Sequence, residues 1–103
     1  MLQHSVLIRF LPAATAEDIA RISQHLASLS RQIPDILTLG GGPDVSPDVS
    51  PEGLQHGFTH GWLVQFVDAA ARDAYLIHPA YQACVATLKP FVDDVLVCDF
   101  AVN

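Results

Sequence analysis

The residue types that could carry chemistry in this sequence are its histidines and tyrosines. The chain has five histidines and two tyrosines. An imidazole can accept or donate a proton near neutral pH, and a phenol can donate a hydrogen bond. These two residue types together are candidates for acid–base chemistry. The candidates are His4, His60, Tyr75, His78 and Tyr81.

Each candidate also has a structural interpretation. His78 directly precedes Pro79, where its ring can act as a base or can instead cap the following helix. Tyr81 is a poor base unless a neighbour lowers its pKa from the ordinary value of about 10. Tyr75 and Tyr81 can both pack in the core with their hydroxyls at its rim. His4 and His60 fit a hydrogen-bonded structural role as well as ligand contact, and strand register decides between these interpretations.

The cysteines do not indicate a metal or redox site. Cys84 and Cys98 lie in apolar stretches and lack C-x-x-C spacing, which is typical of two reduced thiols in a core. No pair of histidines has the i, i+4 spacing of zinc ligands within a predicted helix. We therefore expect neither a metal nor another cofactor.

Length and composition indicate one domain spanning residues 1–103 and a partner chain. Half of the 103 residues are apolar and only 16% are charged, so a single small core leaves a surplus of apolar surface. The net charge of −6 argues against nucleic acid and anionic membranes as partners. No stretch approaches eighteen uninterrupted apolar residues. We expect a soluble, cytoplasmic protein.

Apolar periodicity predicts six main elements in the order strand, helix, strand, strand, helix, strand. Proline at 79 divides the second helical region, because proline is favoured at a first helical position. The predicted strands are 4–11, 35–39, 58–67 and 92–102, and the predicted helices are 15–33, 68–78 and 79–90. This order predicts an α+β, ferredoxin-like fold with a four-stranded antiparallel sheet and helices on one face.

Capping residues mark the helix starts. Thr15 and Asp18 have the spacing of a capping box. Asp68 is a candidate cap for the second helix, and its carboxylate is also spaced to pair with Arg72 one turn later.

The segment between the second and third strands reads as a long loop. Three glycines at 40–42 are expected to break the second strand. The tetrapeptide Pro-Asp-Val-Ser then occurs twice in tandem, over residues 43–50. A small duplication has therefore lengthened this loop, and closing the longer loop costs little entropy.

The sheet face without helices is predicted to be apolar. Leu7, Leu11, Leu63 and Val67 fall on the side opposite Trp62. An exposed apolar face of this size is normally an interaction site. Two copies packed sheet against sheet about a twofold axis would bury it, so we expect a homodimer through this face.

Several segments together resemble the stress-responsive A/B-barrel (Dabb) family over nearly the whole chain. They are Gln3-His4-Ser5-Val6-Leu7-Ile8-Arg9-Phe10, Val49-Ser50-Pro51-Glu52-Gly53, Gly57-Phe58-Thr59-His60, Ala74-Tyr75-Leu76-Ile77-His78-Pro79-Ala80-Tyr81 and Asp94-Val95-Leu96-Val97-Cys98-Asp99-Phe100. The resemblance implies a dimeric α+β barrel with a cavity between the helices and the sheet of each subunit.

The resemblance also implies roles for individual residues. His4 and His60 match the cavity histidines, and Tyr75 matches a tyrosine that helps to hold substrate. Phe58 and Trp62 share the strand face of His60 and are expected to contact the ligand with it. The family includes stress-induced plant proteins and a plant polyketide cyclase that closes a ring by aldol condensation. Tyr81 stands where that cyclase has its general-base histidine, which argues against the cyclase reaction here.

Two hypotheses from different functional classes follow. The first is a non-catalytic homodimer that binds a small apolar ligand in the cavity or acts under stress. The second is a small-molecule cyclase or lyase that acts on an enolisable carbonyl compound, with His78, Tyr81 and Tyr75 as catalytic residues. The absence of a histidine at position 81 favours the first.

Overall fold

A computed structural model describes residues 1–47 and 53–102 of the chain. Strands and helices follow the predicted order, with a short 3-10 turn (Lys89–Phe91) before the last strand. The elements are β1 (Leu2–Phe10), α1 (Ala16–Gln32), β2 (Thr38–Pro43), β3 (His60–Phe66), α2 (Ala69–Leu76), α3 (Pro79–Leu88) and β4 (Val92–Ala101).

The strands form one antiparallel sheet in the order β2-β3-β1-β4. This confirms the predicted ferredoxin-like α+β fold with a four-stranded sheet. Strand β1 is central, so its residues are flanked on both sides: His4 lies between Val64 and Asp99, and Ile8 lies between His60 and Val95.

The core lies between the helices and one face of the sheet. Leu29 and Ile33 at the end of α1 are fully buried against Val64, Phe66 and their neighbours. Burying each large apolar side chain contributes roughly 1.5–3 kcal/mol relative to leaving it exposed. This layer fixes the positions of α2 and α3 above the sheet.

The predicted helix caps are confirmed. The Asp18 N–H donates to Thr15 Oγ1, and the Thr15 N–H donates to Asp18 Oδ2, which completes the capping box. Asp68 accepts from the Ala71 N–H at the start of α2. The predicted Asp68–Arg72 pair is wrong, because the guanidinium of Arg72 instead reaches Asp73 and Asp99.

The predicted break at residues 40–42 is also wrong. Strand β2 begins at Thr38, and the three glycines lie within it, paired with β3. Gly41 packs where a Cβ would overlap the Trp62 indole and the carbonyl oxygen of Gly61. Pairing with a neighbouring strand therefore overrides the weak strand propensity of glycine.

None of the helices that the structure describes packs on the second sheet face, which exposes apolar side chains. Leu7, Leu63, Leu96 and Phe100 lie on this face, and Leu63 is 42% exposed. Cys98 also lies here and is exposed, so its prediction as a core thiol is wrong. Alternate residues of a strand face opposite sides, and Cys98 falls on the uncovered side.

The duplicated Pro-Asp-Val-Ser segment lies only partly within the structure, since residues 48–50 fall outside the described residues. In the first copy, Asp44 Oδ1 accepts hydrogen bonds from the backbone N–H and the hydroxyl of Ser46. None of the helices in the described parts of the chain is long and apolar enough to span a membrane.

Candidate functional site

A cavity of about 330 Å³ lies between the helices and the covered sheet face. Val95 and Val97 line it and remain 50% and 53% exposed, which places its opening between α3 and β4. The other lining residues are Val6, Ile8, Leu26, Leu39, Trp62, Val64, Tyr75, Tyr81, Cys84, Val85, Leu88, Lys89 and Val92. This volume lies in the lower range of small-molecule sites, which are typically apolar clefts with few polar groups.

Three of the predicted site residues meet in this cavity. The rings of Tyr75 and Tyr81 are 4.4 Å apart, and Trp62 belongs to the same lining. Burial raises the pKa of both phenols above the ordinary value. Neither hydroxyl makes a hydrogen bond to another described residue, so both are protonated donors near neutral pH and poor bases.

A buried histidine lies behind Tyr75. His4 is 4% exposed, and its ring makes edge contacts with Tyr75 at 5.8 Å and with Phe66 at 6.4 Å. His4 Nδ1 lies 2.7 Å from Asp99 Oδ1. Because a carboxylate only accepts, Nδ1 carries the proton and donates it to this bond.

Arg72 completes a chain of charged groups from α2 through β4 to β1. Its Nη1 donates to Asp99 Oδ2 at 2.7 Å, and its Nε donates to Asp73. These two carboxylates raise the pKa of the guanidinium. Asp99 also helps to raise the pKa of Tyr81, so its negative charge acts at the cavity edge.

His78 caps the helix that follows it. Its Nδ1 accepts a hydrogen bond of 3.0 Å from the Ala80 N–H, and Pro79 occupies the first helical position. The capping interpretation is confirmed. This bond occupies the Nδ1 lone pair, and His78 is not among the cavity lining. Its assignment as a base stays a prediction.

His60 and Phe58 lie away from the cavity lining. His60 is paired with Ile8, four residues along β1 from His4, so the two histidines are separated by roughly 13 Å. The His60 ring meets Phe10 edge-on at 5.0 Å, and desolvation lowers its pKa. Phe58 lies under the Arg9 guanidinium at 5.8 Å. Their ligand-binding roles stay predictions.

The reactive groups are therefore split between the cavity and its surroundings. The cavity itself presents phenol donors, the Lys89 side chain and the buried thiol of Cys84, whose pKa burial raises to about 11. A thiol of that pKa is protonated and behaves as an apolar group. Among the described residues, no three His, Cys, Asp or Glu side chains lie close enough together to hold a metal ion.

Three residues of this region were missed by the sequence interpretation: Asp99, Arg72 and Lys89. The available signal for Asp99 was a single charged residue in the apolar run Val95–Phe100. Buried charges are normally paired, so an acid in such a run predicts a partner. Lys89 carried no comparable signal, because lysine is common on any surface.

Comparisons with known proteins agree with this architecture. The family model described as "Stress responsive A/B Barrel Domain" matches residues 2–102. No curated protein matches the chain.

Solved structures provide further similarity. The Arabidopsis thaliana protein At3g17210 is 27% identical, with a TM-score of 0.90 over 100% of this chain and 96% of the other. A dimeric ferredoxin-like protein of unknown function from Jannaschia sp. CCS1 is 27% identical, with a TM-score of 0.81 over 98% of each chain. A hydroxynitrile lyase from Passiflora edulis is 22% identical, with a TM-score of 0.89 over 99% and 93%; it shares the fold. The match over nearly the whole chain establishes that this protein belongs to the stress responsive A/B barrel domain (Dabb) family.

Proposed function

We propose that this protein is a homodimer that binds a small apolar molecule in the cavity between its helices and its sheet. The observation that carries the proposal is the cavity itself: aromatic and aliphatic side chains line it, and it opens between α3 and β4. Two phenol donors and one ammonium group are its main polar features. Such a lining favours an apolar ligand that carries a hydrogen-bond acceptor.

The affinity of such a ligand can be approximated from surface burial. A molecule that buries about 200 Å² of apolar surface gains roughly 5 kcal/mol, and association costs are offset in part by a preformed site. A free energy of this size corresponds to a dissociation constant of about 0.2 mM, which is a lower limit because the remaining association costs subtract from the gain. Titrations up to a few millimolar are therefore the appropriate range.

The fluorescence of Trp62 can report ligand binding, because Trp62 is the single tryptophan of the chain and lines the cavity. We expect 2-nonanone, a neutral ketone that does not absorb at the excitation wavelength, to change Trp62 fluorescence saturably. Val97→Phe narrows the opening and should weaken binding. Ile77→Phe is the matched control, because Ile77 is 80% exposed and does not line the cavity. Absence of saturable binding to the wild-type protein would contradict the proposal.

The proposed dimer interface is the uncovered sheet face. The β4 side of this face carries the large side chains Leu96 and Phe100. On the β2 side, Gly40 and Gly42 have no side chains, and a Cβ at either position would meet no other atom of the chain within 4 Å. A twofold axis would place the large half of one copy against the small half of the other, which is the self-complementarity that an isologous interface needs. The similar Jannaschia sp. CCS1 protein, which is 27% identical, is described as dimeric, and this supports a homodimer.

The dimer is tested by sedimentation at micromolar protein concentration. The wild-type chain should sediment as a dimer, and Leu63→Glu, which puts a charge on the proposed interface, should sediment as a monomer. Ile77→Glu is the control, since Ile77 is also exposed but lies on the helical side at the end of α2. A monomeric wild-type protein, or a dimeric Leu63→Glu variant, would contradict the proposed interface.

A second candidate function is a cyclase or lyase that uses His and Tyr for acid–base chemistry on an enolisable carbonyl compound. The observation in its favour is the chain Arg72–Asp99–His4 beside Tyr75. A carboxylate that holds Nδ1–H leaves Nε2 of a neutral imidazole free to accept a proton. Turnover with a bell-shaped pH–rate profile that His4→Gln abolishes would support catalysis. Saturable binding without turnover would support the binding function.

A further inference from the structure

The charge carried by the described cavity lining is positive. Lys89 is the single charged residue among the described lining residues. Of the five cationic side chains of the protein, Arg9, Arg21 and Arg72 are paired with carboxylates. Lys89 forms no ion pair with any residue that the structure describes. Its ammonium is therefore available to a ligand.

The position of Lys89 suits an ammonium that meets a ligand at the boundary between the cavity and water. The residue lies in the 3-10 turn that connects α3 to β4, next to Leu88 and close to Val92 in the lining. A lysine in such a position can lay its aliphatic stem along apolar surface and keep its charge in water. The opening of the cavity lies between these same two elements.

The polar groups of the lining are donors. Tyr75 and Tyr81 supply protonated phenols, and Lys89 supplies an ammonium. No carboxylate from the described residues lines the cavity. Asp99, whose charge acts on Tyr81, already accepts from His4 and Arg72. An apolar cavity with donors and one cation is complementary to an amphipathic anion.

We propose that the natural ligand is such an anion, with an apolar body in the cavity and a carboxylate group paired with Lys89 at the opening. This inference rests on the proposed ligand-binding function and adds the chemical class of the ligand. The net charge of −6 makes the local cation significant, because the rest of the protein repels anions in dilute buffer.

The test compares two probes of nearly equal shape, octanoate and 2-nonanone. In 2-nonanone a methyl group replaces the charged carboxylate oxygen of octanoate. Both are titrated against the intact protein at low ionic strength with Trp62 fluorescence as the readout. The variants are Lys89→Met and Lys89→Arg. Arg31→Met is the matched control, because Arg31 lies at the end of α1 outside the lining. Both methionine variants lower the net charge by one, from −6 to −7.

We expect Lys89→Met to weaken octanoate binding by about fivefold, which is the effect of a well-placed ion pair at a surface. Lys89→Met should change 2-nonanone binding by less than about twofold, because the ketone carries no charge to pair with the ammonium. Arg31→Met should bind both probes like the wild type, and Lys89→Arg should retain octanoate binding. If 2-nonanone binds the wild-type protein but Lys89→Met binds octanoate as tightly as Arg31→Met does, the anion inference fails while the binding function stands. If neither probe binds the wild-type protein, the binding function itself fails.

Discussion

Replacement of Asp99 by alanine is expected to lower the free energy of unfolding by about 3 kcal/mol. Asp99 accepts two charge-assisted hydrogen bonds of 2.7 Å, from His4 and from Arg72. The His4 side chain is 5% exposed, so its unpaired Nδ1–H would cost roughly 1–3 kcal/mol. The Arg72 side chain is more accessible to water, and the loss of its bond adds about 1 kcal/mol.

Asp93→Ala is the matched control for this substitution. Asp93 lies on the same strand and also pairs with an arginine, since Arg9 Nε donates to its carboxylate at 2.8 Å. Both side chains of this pair are well exposed, so its loss should cost no more than about 0.5 kcal/mol. Urea unfolding of both variants at one fixed protein concentration measures the difference, because oligomer stability depends on concentration.

The attribution to His4 is tested by a double-mutant cycle. In a His4→Phe background no buried Nδ1–H remains, so the further change Asp99→Ala should cost at least about 1 kcal/mol less than it does in the wild type. Equal costs for Asp99→Ala and Asp93→Ala, or strictly additive effects in the cycle, would refute the reasoning.

Two further predictions concern the sheet around the cavity. Gly41→Ala should destabilise the fold by about 1–3 kcal/mol in a urea titration, because the new methyl group overlaps the Trp62 indole. The control Gly42→Ala meets open space within its own chain but lies on the proposed dimer interface. Both substitutions are therefore compared in the Leu63→Glu background, which is expected to be monomeric and in which Gly42→Ala should be nearly neutral. His60 should make stability fall as pH drops from 7.5 to 5.5. Desolvation lowers its folded-state pKa below 6.5, so the unfolded chain binds the proton first and the contribution is lost as pH falls. His60→Gln should reduce this loss, and an unchanged pH dependence would count against the desolvated ring.

The fold was predictable where a pattern is local. The capping box of Thr15 and Asp18 and the cap at Asp68 depend on residues three positions apart, and the structure has both. The second strand was placed too early, because glycines 40–42 have poor strand propensity on their own. Their place in β2 depends on pairing with β3, and sequence propensity does not include that contact.

The site was less predictable because distant residues build it. The Asp99 carboxylate joins His4 across 95 positions of the chain and Arg72 across 27. The register of β1 with β4 places His4 beside Asp99, and a shift by one residue would send Asp99 to the other face. The register of β1 with β3 pairs His60 with Ile8 and so keeps it away from His4. The residue types indicated acid–base chemistry, whereas the separation of His4 and His60 along the strands favours a ligand-binding function.

A crystal structure of the protein with 2-nonanone tests the central claim most directly. We predict electron density for the ketone between α3 and β4, with its chain against Val97 and Leu88 and its carbonyl oxygen within hydrogen-bond distance of the hydroxyl of Tyr75 or Tyr81. A cavity filled by the protein's own side chains, or a ketone bound only elsewhere on the surface, would contradict the account.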